Sequence, residues 1–398
     1  MGCSLTKLFN FERASGLLII ASILAGLIAA NSPLANLYWA VHHAPVHLGI
    51  GPFELEKPLI EWINKGLMVF FFVLVGLEIK REMLEGHLAT PRQAALPAIA
   101  ALGGMALPAA IYVSINWGDA RSIHGWAIPT ATDIVLALGM LSLLGPRVPI
   151  GLRVFLTALA IFDDVGAVLI IGLFYGDGVS LLPLLAALAA FMGLLLLNAF
   201  KIMRPLMFVV LGLALWLTLL KAGVEPALAG VLIALTVPMR ASGRLQSSPL
   251  RSTERRLHPW VVLIVVPVFA FLNSGIRIDS TVAALLVDPI SLGIVSGLFI
   301  GKPLGVAGAS YAAVRLGLGR LPDDVTWGQI CGAAILAGIG FTMSLFVATL
   351  AFSEAAVVAS AKAAILIASL LSTIVGLAVV FATTNTVATV RAPTSQAH

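Results

Sequence analysis

The sequence predicts an all-α polytopic membrane protein of about 12 transmembrane helices with inverted repeats and two broken helices crossing mid-membrane. Three observations predict it. Of 398 residues, 60% are hydrophobic and 11% charged, and the mean hydropathy is +1.04, far from the balance of soluble domains. Apolar stretches long enough to span a bilayer recur along almost the whole chain, with short polar loops between them. Inside those stretches only a few ionisable residues remain, and two stretches are interrupted near their middles by Pro, Gly and Thr.

Taken in order, the apolar windows place spans near residues 12–30, 59–84, 95–116, 122–143, 150–175, 182–200, 205–220, 223–237, 257–275, 289–313, 327–350 and 358–384. The first ends in Asn31-Ser32-Pro33 without a small-residue cleavage site, so it reads as a span rather than a signal peptide. Met1-Gly2-Cys3-Ser4-Leu5-Thr6 formally fits a myristoylation pattern, for which a chain with many spans has no use. Cys3 and Cys331 are the only cysteines, and they form no disulfide framework. After the first span, Val46 to Leu55 alternates around Gly51-Pro52 and reads as a surface β-hairpin at about 45–58 that could pair two protomers. The whole of 1–398 reads as one transmembrane transporter domain.

A net charge of +5 and a pI near 9.4 could point to nucleic acid, but the basic residues sit singly in loops without aromatic interleaving. Orientation explains them better. With a cytoplasmic N-terminus, 17 of the 24 Lys and Arg fall on the cytoplasmic side, six on or near the other, and Lys302 lies mid-membrane. Both termini are then cytoplasmic. No nucleic-acid partner is expected.

The fourth span is interrupted at Pro129-Thr130-Ala131-Thr132-Asp133 and the eleventh at Gly338-Ile339-Gly340-Phe341-Thr342. Unsatisfied backbone in lipid costs several kcal/mol per group, so such breaks survive where they line a protein-enclosed cavity. They are the middle helices of two triplets, at about 95–175 and 289–384, an arrangement that permits an inverted repeat.

Ionisable residues at the bilayer centre cost about 2.5–3.5 kcal/mol each and are functional candidates by default. Asp163 and Asp164 lie halfway along the fifth span, Asp133 in the broken fourth beside Thr132, and Lys302 halfway along the tenth. Adjacent helical residues point about 100° apart, so the two aspartates serve two roles. A buried carboxylate can hold a proton or a cation, and the two compete for the same oxygens. Carboxylate and carbonyl oxygens suit a hard cation, Na+ or Li+, and the spans contain no His/Cys cluster for a soft metal. If both aspartates release protons to bind one monovalent cation, exchange moves net charge. No cofactor is expected beyond the transported Na+ or Li+ and H+. Structural readings stand beside these: a buried ion-paired set, and, for Asp133 and Thr132, satisfaction of the broken helix's backbone.

At these residues the chain resembles the NhaA-type sodium/proton antiporters. The likeness runs through Val75-Gly76-Leu77-Glu78-Ile79-Lys80-Arg81-Glu82, Ala127-Ile128-Pro129 with Ala131-Thr132-Asp133, Ile161 to Asp164, Ile300-Gly301-Lys302-Pro303 and Gly340-Phe341-Thr342-Met343-Ser344. This family is itself one example of the inverted-repeat fold. The resemblance implies twelve helices, Asp163 and Asp164 as the Na+/Li+ and proton site, and Lys302 paired with Asp163 when no cation is bound. It also implies Asp133 as compensation for half-helix ends, a homodimer through the hairpin, a bacterial inner-membrane location and activation at alkaline pH. The pH-sensing candidates are Glu78, Glu82, Glu254 and His258, of which His258 has the unperturbed titration nearest neutrality. Lys65 stands where the family is often acidic, and Arg255 where a second histidine can occur.

Other function classes predict other features. An intramembrane aspartyl protease commonly carries Gly-x-Gly-Asp, whereas Asp163 follows Phe162. A cation channel would conduct without proton counterflow. A cation-coupled symporter would want a polar pocket for an organic solute.

Overall fold

The computed structural model describes residues 2–50, 53–86, 90–176, 178, 180–200, 204–239, 248–277 and 288–390. The expected turn at Gly51-Pro52, the extreme C-terminus and the side chain of Cys3 lie outside the described residues. The elements in order are α1 (Gly2–Ala30), α2 (Ala35–His42), β1 (Pro45–Ile50), β2 (Phe53–Pro58), α3 (Leu59–Glu85) and α4 (Pro91–Ile115). A 3-10 segment (Ser122–Thr130), α5 (Ile134–Ser142), α6 (Ile150–Phe174), α7 (Leu181–Ala199) and α8 (Pro205–Ala222) follow. The chain continues through α9 (Leu228–Thr236), α10 (Pro249–Asn273), α11 (Pro289–Arg315), α12 (Trp327–Leu336), α13 (Phe341–Ala351) and α14 (Ala355–Val390).

Among the described residues, nine helices are long and apolar enough to cross a membrane. The total reaches eleven when each bent pair counts as one span. The pairs are the 3-10 segment with α5, bent by 40°, and α12 with α13, bent by 43°. The remaining expected span, 223–237, is a nine-residue helix: Gly223 ends α8 at φ 76°, and a turn through Glu225-Pro226 delays α9 to Leu228. Another difference is the start of the ninth span. The helix begins at Pro249, behind a Ser248 cap that accepts the Arg251 N–H, so its first two turns are charged.

Contacts divide the chain into two compact units. The first comprises Met1–Ile20, Thr90–Asp164 and Asp279–His398, and it holds both bent pairs. Here α4 packs closely on α11, because Gly103 and Gly305 meet at their backbones where a Cβ on either would collide. The segment Gly297–Gly301 of α11 is a π-bulge, ending immediately before Lys302.

The second unit comprises Ala21–Ala89 and Val165–Ile278. Its core joins Leu194 of α7, Leu215 and Leu219 of α8, and Ala229 of α9, while Leu77 of α3, Ala234 of α9 and Leu250 of α10 form a smaller cluster. Asn64 and Asn273 exchange side-chain amide bonds in the interior, at 2.9 and 3.4 Å. Tyr38 caps the end of α10, its hydroxyl facing the carbonyls of Phe271 and Leu272 at 3.0 and 2.8 Å; burial pushes the phenol up to about 12, so it stays a donor. The hairpin forms over the expected range, antiparallel, with Pro45 opposite Pro58 and Ile50 opposite Phe53.

Candidate functional site

Thr132, Asp133, Asp163, Asp164 and Lys302 all belong to the first unit, and none exposes more than 2% of its surface. Charges so enclosed must be partnered or neutralised. α6 supplies both aspartates on one turn, α11 supplies Lys302, and the extended link between the 3-10 segment and α5 supplies Thr132 and Asp133.

Lys302 Nζ lies 2.8 Å from Asp163 Oδ2 and also donates to the Thr130 carbonyl, the last residue of the 3-10 segment. One ammonium thus serves a carboxylate and a half-helix C-terminus together. Thr132 Oγ1 lies 2.6 Å from the same Asp163 oxygen and 2.8 Å from the Ala337 carbonyl, just past α12. Two neighbours therefore hold Oδ2. Asp163 Oδ1 is buried with no hydrogen-bond partner among the described residues, so one carboxylate oxygen keeps its lone pairs available. Asp164 follows on the same helix, buried beside it.

Asp133 does something different. Its Oδ1 accepts the Leu136 N–H at 3.0 Å, capping α5; its Oδ2 accepts the Thr342 N–H at 3.0 Å and the Thr342 hydroxyl at 2.6 Å, at the start of α13. One carboxylate meets the positive ends of both second half-helices. The two breaks are further laced by the Asp133 N–H to the Ile339 carbonyl at 2.6 Å and Ser344 Oγ to the Ile128 carbonyl at 2.7 Å. Broken backbone that lipid could not satisfy is satisfied by the other break.

Glu78, Glu82, Glu254 and His258 belong to the second unit, on α3 and α10. Arg81 gathers them: it lies 2.8 Å from Glu82 and 3.0 Å from Glu254, and within electrostatic reach of Glu78 and His258. Arg251 pairs with Glu85 at 2.5 Å alongside. The sequence singles out the acids and the histidine as candidates but not the arginine between them. Nor does it assign a role to Thr342 or to the Thr130 and Ala337 carbonyls. A signal for Thr342 existed, since a hydroxyl residue opens the helix that follows a break; backbone carbonyls carry none.

A family model described as Na+/H+ antiporter 1 matches residues 6–380. The Na(+)/H(+) antiporter NhaA of Rhodospirillum rubrum is 48% identical over 381 residues, covering 94% of this chain and 96% of the relative. The Na(+)/H(+) antiporter NhaA 2 of Pseudomonas syringae pv. syringae is 50% identical over 376 residues, 94% of each chain. The NhaA of Maricaulis maris is 48% identical over 375 residues, 94% of this chain and 92% of the relative.

Proposed function

The chain belongs to the Na+/H+ antiporter 1 family, a family of transporters rather than enzymes, and we propose that it exchanges cytoplasmic Na+ or Li+ for external H+ through Asp163 and Asp164. The observation that carries the site is the asymmetry of Asp163: Oδ2 is held by Lys302 and Thr132, while Oδ1 is buried and open next to Asp164. A dehydrated monovalent cation takes oxygen ligands, and it displaces either protons or the lysine. Asp163 and Asp164 bind the cation and proton in turn; Lys302 neutralises Asp163 between turns; Thr132 offers a further oxygen; and Asp133 holds the break in shape.

Two adjacent acids support an electrogenic exchange in which two protons oppose one cation. The Arg81-centred cluster supports a switch that turns transport on at alkaline pH, because one guanidinium draws Glu78, Glu82, Glu254 and His258 into a single charged group. The antiparallel hairpin β1–β2 supports a homodimer joined at the membrane surface. The distribution of Lys and Arg supports an inner-membrane protein with both termini in the cytoplasm. The two bent pairs support alternating access by the repeats at about 95–175 and 289–384.

The test is sodium-driven proton movement in proteoliposomes with a trapped pH dye, comparing the native chain with Asp163→Asn and Asp164→Asn from neutral to alkaline pH. Proton release that vanishes in both variants is the expected result. Sodium flux without proton movement, or exchange that survives both changes, overturns the reading.

A further inference from the structure

The helix that carries Lys302 is irregular just before it. In the π-bulge Gly297–Gly301, the Lys302 N–H reaches back to the Gly297 carbonyl. The donor that the Leu298 carbonyl would have had in a regular α-helix is thereby taken. The next residue in line, Pro303, has no N–H.

The Leu298 oxygen lies against the break in the eleventh span. A Cβ on Gly338 would sit 2.5 Å from it, 2.6 Å from Ser372 Oγ and 3.0 Å from the Ile335 carbonyl oxygen. Oxygens from α11, α14 and α12 converge on a residue with no side chain to keep them apart. Ser372 is fully buried, and its hydroxyl has no hydrogen-bond partner among the described residues; Ser369, one turn earlier on α14, is buried in the same condition. Helical hydroxyls ordinarily turn back on the carbonyl four residues earlier, and Thr373, Thr383 and Thr384 of this helix do so at 2.7, 2.8 and 2.9 Å. Ser372 does not turn back.

We propose that these groups form a binding site for one ordered water molecule, held between the Leu298 carbonyl and the Ser372 hydroxyl, which ties the bulge before Lys302 to α14. A water donates to the carbonyl and accepts from the hydroxyl, so it satisfies two buried groups that otherwise carry the full cost of lost hydration. A cation is the wrong occupant. The oxygens are neutral, the Lys302 ammonium belongs to the adjoining residue, and the carboxylates that favour a cation lie at Asp163 and Asp164. Because the bulge precedes Lys302 directly, a water that bonds the freed carbonyl holds the register on which the position of that lysine depends.

The site stands whatever ion the protein carries, and its test is separable from transport. Native crystals at a resolution that shows ordered water, a Tl+ soak, and crystals of Ser372→Ala and Ser372→Thr decide it. Expected is one peak without anomalous signal within hydrogen-bonding distance of Leu298 O and Ser372 Oγ, kept in Ser372→Thr and lost in Ser372→Ala. In proteoliposomes Ser372→Ala is expected to slow turnover about fivefold with the apparent KM for Na+ changed less than about twofold, and Ser372→Thr to restore it. A Ser372 hydroxyl turned onto the Ala368 carbonyl with no peak beside it overturns the site, as does Tl+ in its place. Unchanged turnover in Ser372→Ala overturns the link to Lys302.

Discussion

Lys302 Nζ lies 2.8 Å from Asp163 Oδ2, and neither side chain exposes any surface. Breaking such a pair by removing one partner leaves a buried charge uncompensated, at a cost of about 3–5 kcal/mol, whereas neutralising both can be nearly free. Asp163→Asn is therefore expected to lower the unfolding temperature in detergent sharply, and Asp163→Asn combined with Lys302→Gln to recover most of the loss. Losses that simply add in the double variant would mean that the two groups do not act as a pair.

The contrast between what was legible and what was not follows from the kind of signal each feature leaves. Asp163, Asp164 and Lys302 stand out because a charge in an apolar window has no other explanation, and Pro129 and Gly338 mark breaks because of what they do to any helix. The start of α10 at Pro249 escaped the apolar windows because its first turns carry Arg251, Glu254, Arg255 and Arg256; the Ser248-Pro249 cap was the available signal. The π-bulges at Ile63–Leu67, Val261–Val265 and Gly297–Gly301 have no pattern in side-chain type. Nor does composition show that Asp133 and Thr342, 209 residues apart, meet through three hydrogen-bonded atoms.

Asp133 joins two helix starts, and its variants should form a ladder. Thr342→Val removes one hydroxyl bond and is expected to cost about 1 kcal/mol. Asp133→Asn replaces one acceptor oxygen by a donor facing other donors, and Asp133→Ala removes both caps, for an expected loss of about 2–4 kcal/mol. Chemical denaturation of the purified protein measures the order. Asp133→Ala no worse than Thr342→Val would show that the caps contribute little.

Acid should loosen the entrance to the 3-10 segment. Asp119 accepts the Ser122 hydroxyl and, at 3.0 Å, the Arg121 N–H, and these bonds, Ser122 first, hold its carboxyl below the ordinary carboxylate range. A group with a depressed folded value contributes fully above its unfolded value and loses that contribution as pH falls through the folded one. The difference in unfolding temperature between the native chain and Asp119→Ala is thus expected to be flat at neutral pH and to shrink on acidification below the ordinary carboxylate range. A difference independent of pH would assign the effect to the side chain's packing.

Competition between protons and a cation at Asp163 and Asp164 makes a quantitative demand on transport. If one proton must leave for each cation bound, the apparent KM for Na+ rises about tenfold per unit fall in pH on the acidic limb, and about a hundredfold if two must leave. The steeper slope accompanies net charge movement, so an imposed membrane potential should drive exchange. The Arg81 cluster could also shut transport off in acid, but that changes maximal turnover rather than KM. Initial rates measured over a range of Na+ at each pH separate the two. A KM that holds steady while turnover falls would place the proton's effect away from the cation site and remove competition at the aspartates from the mechanism.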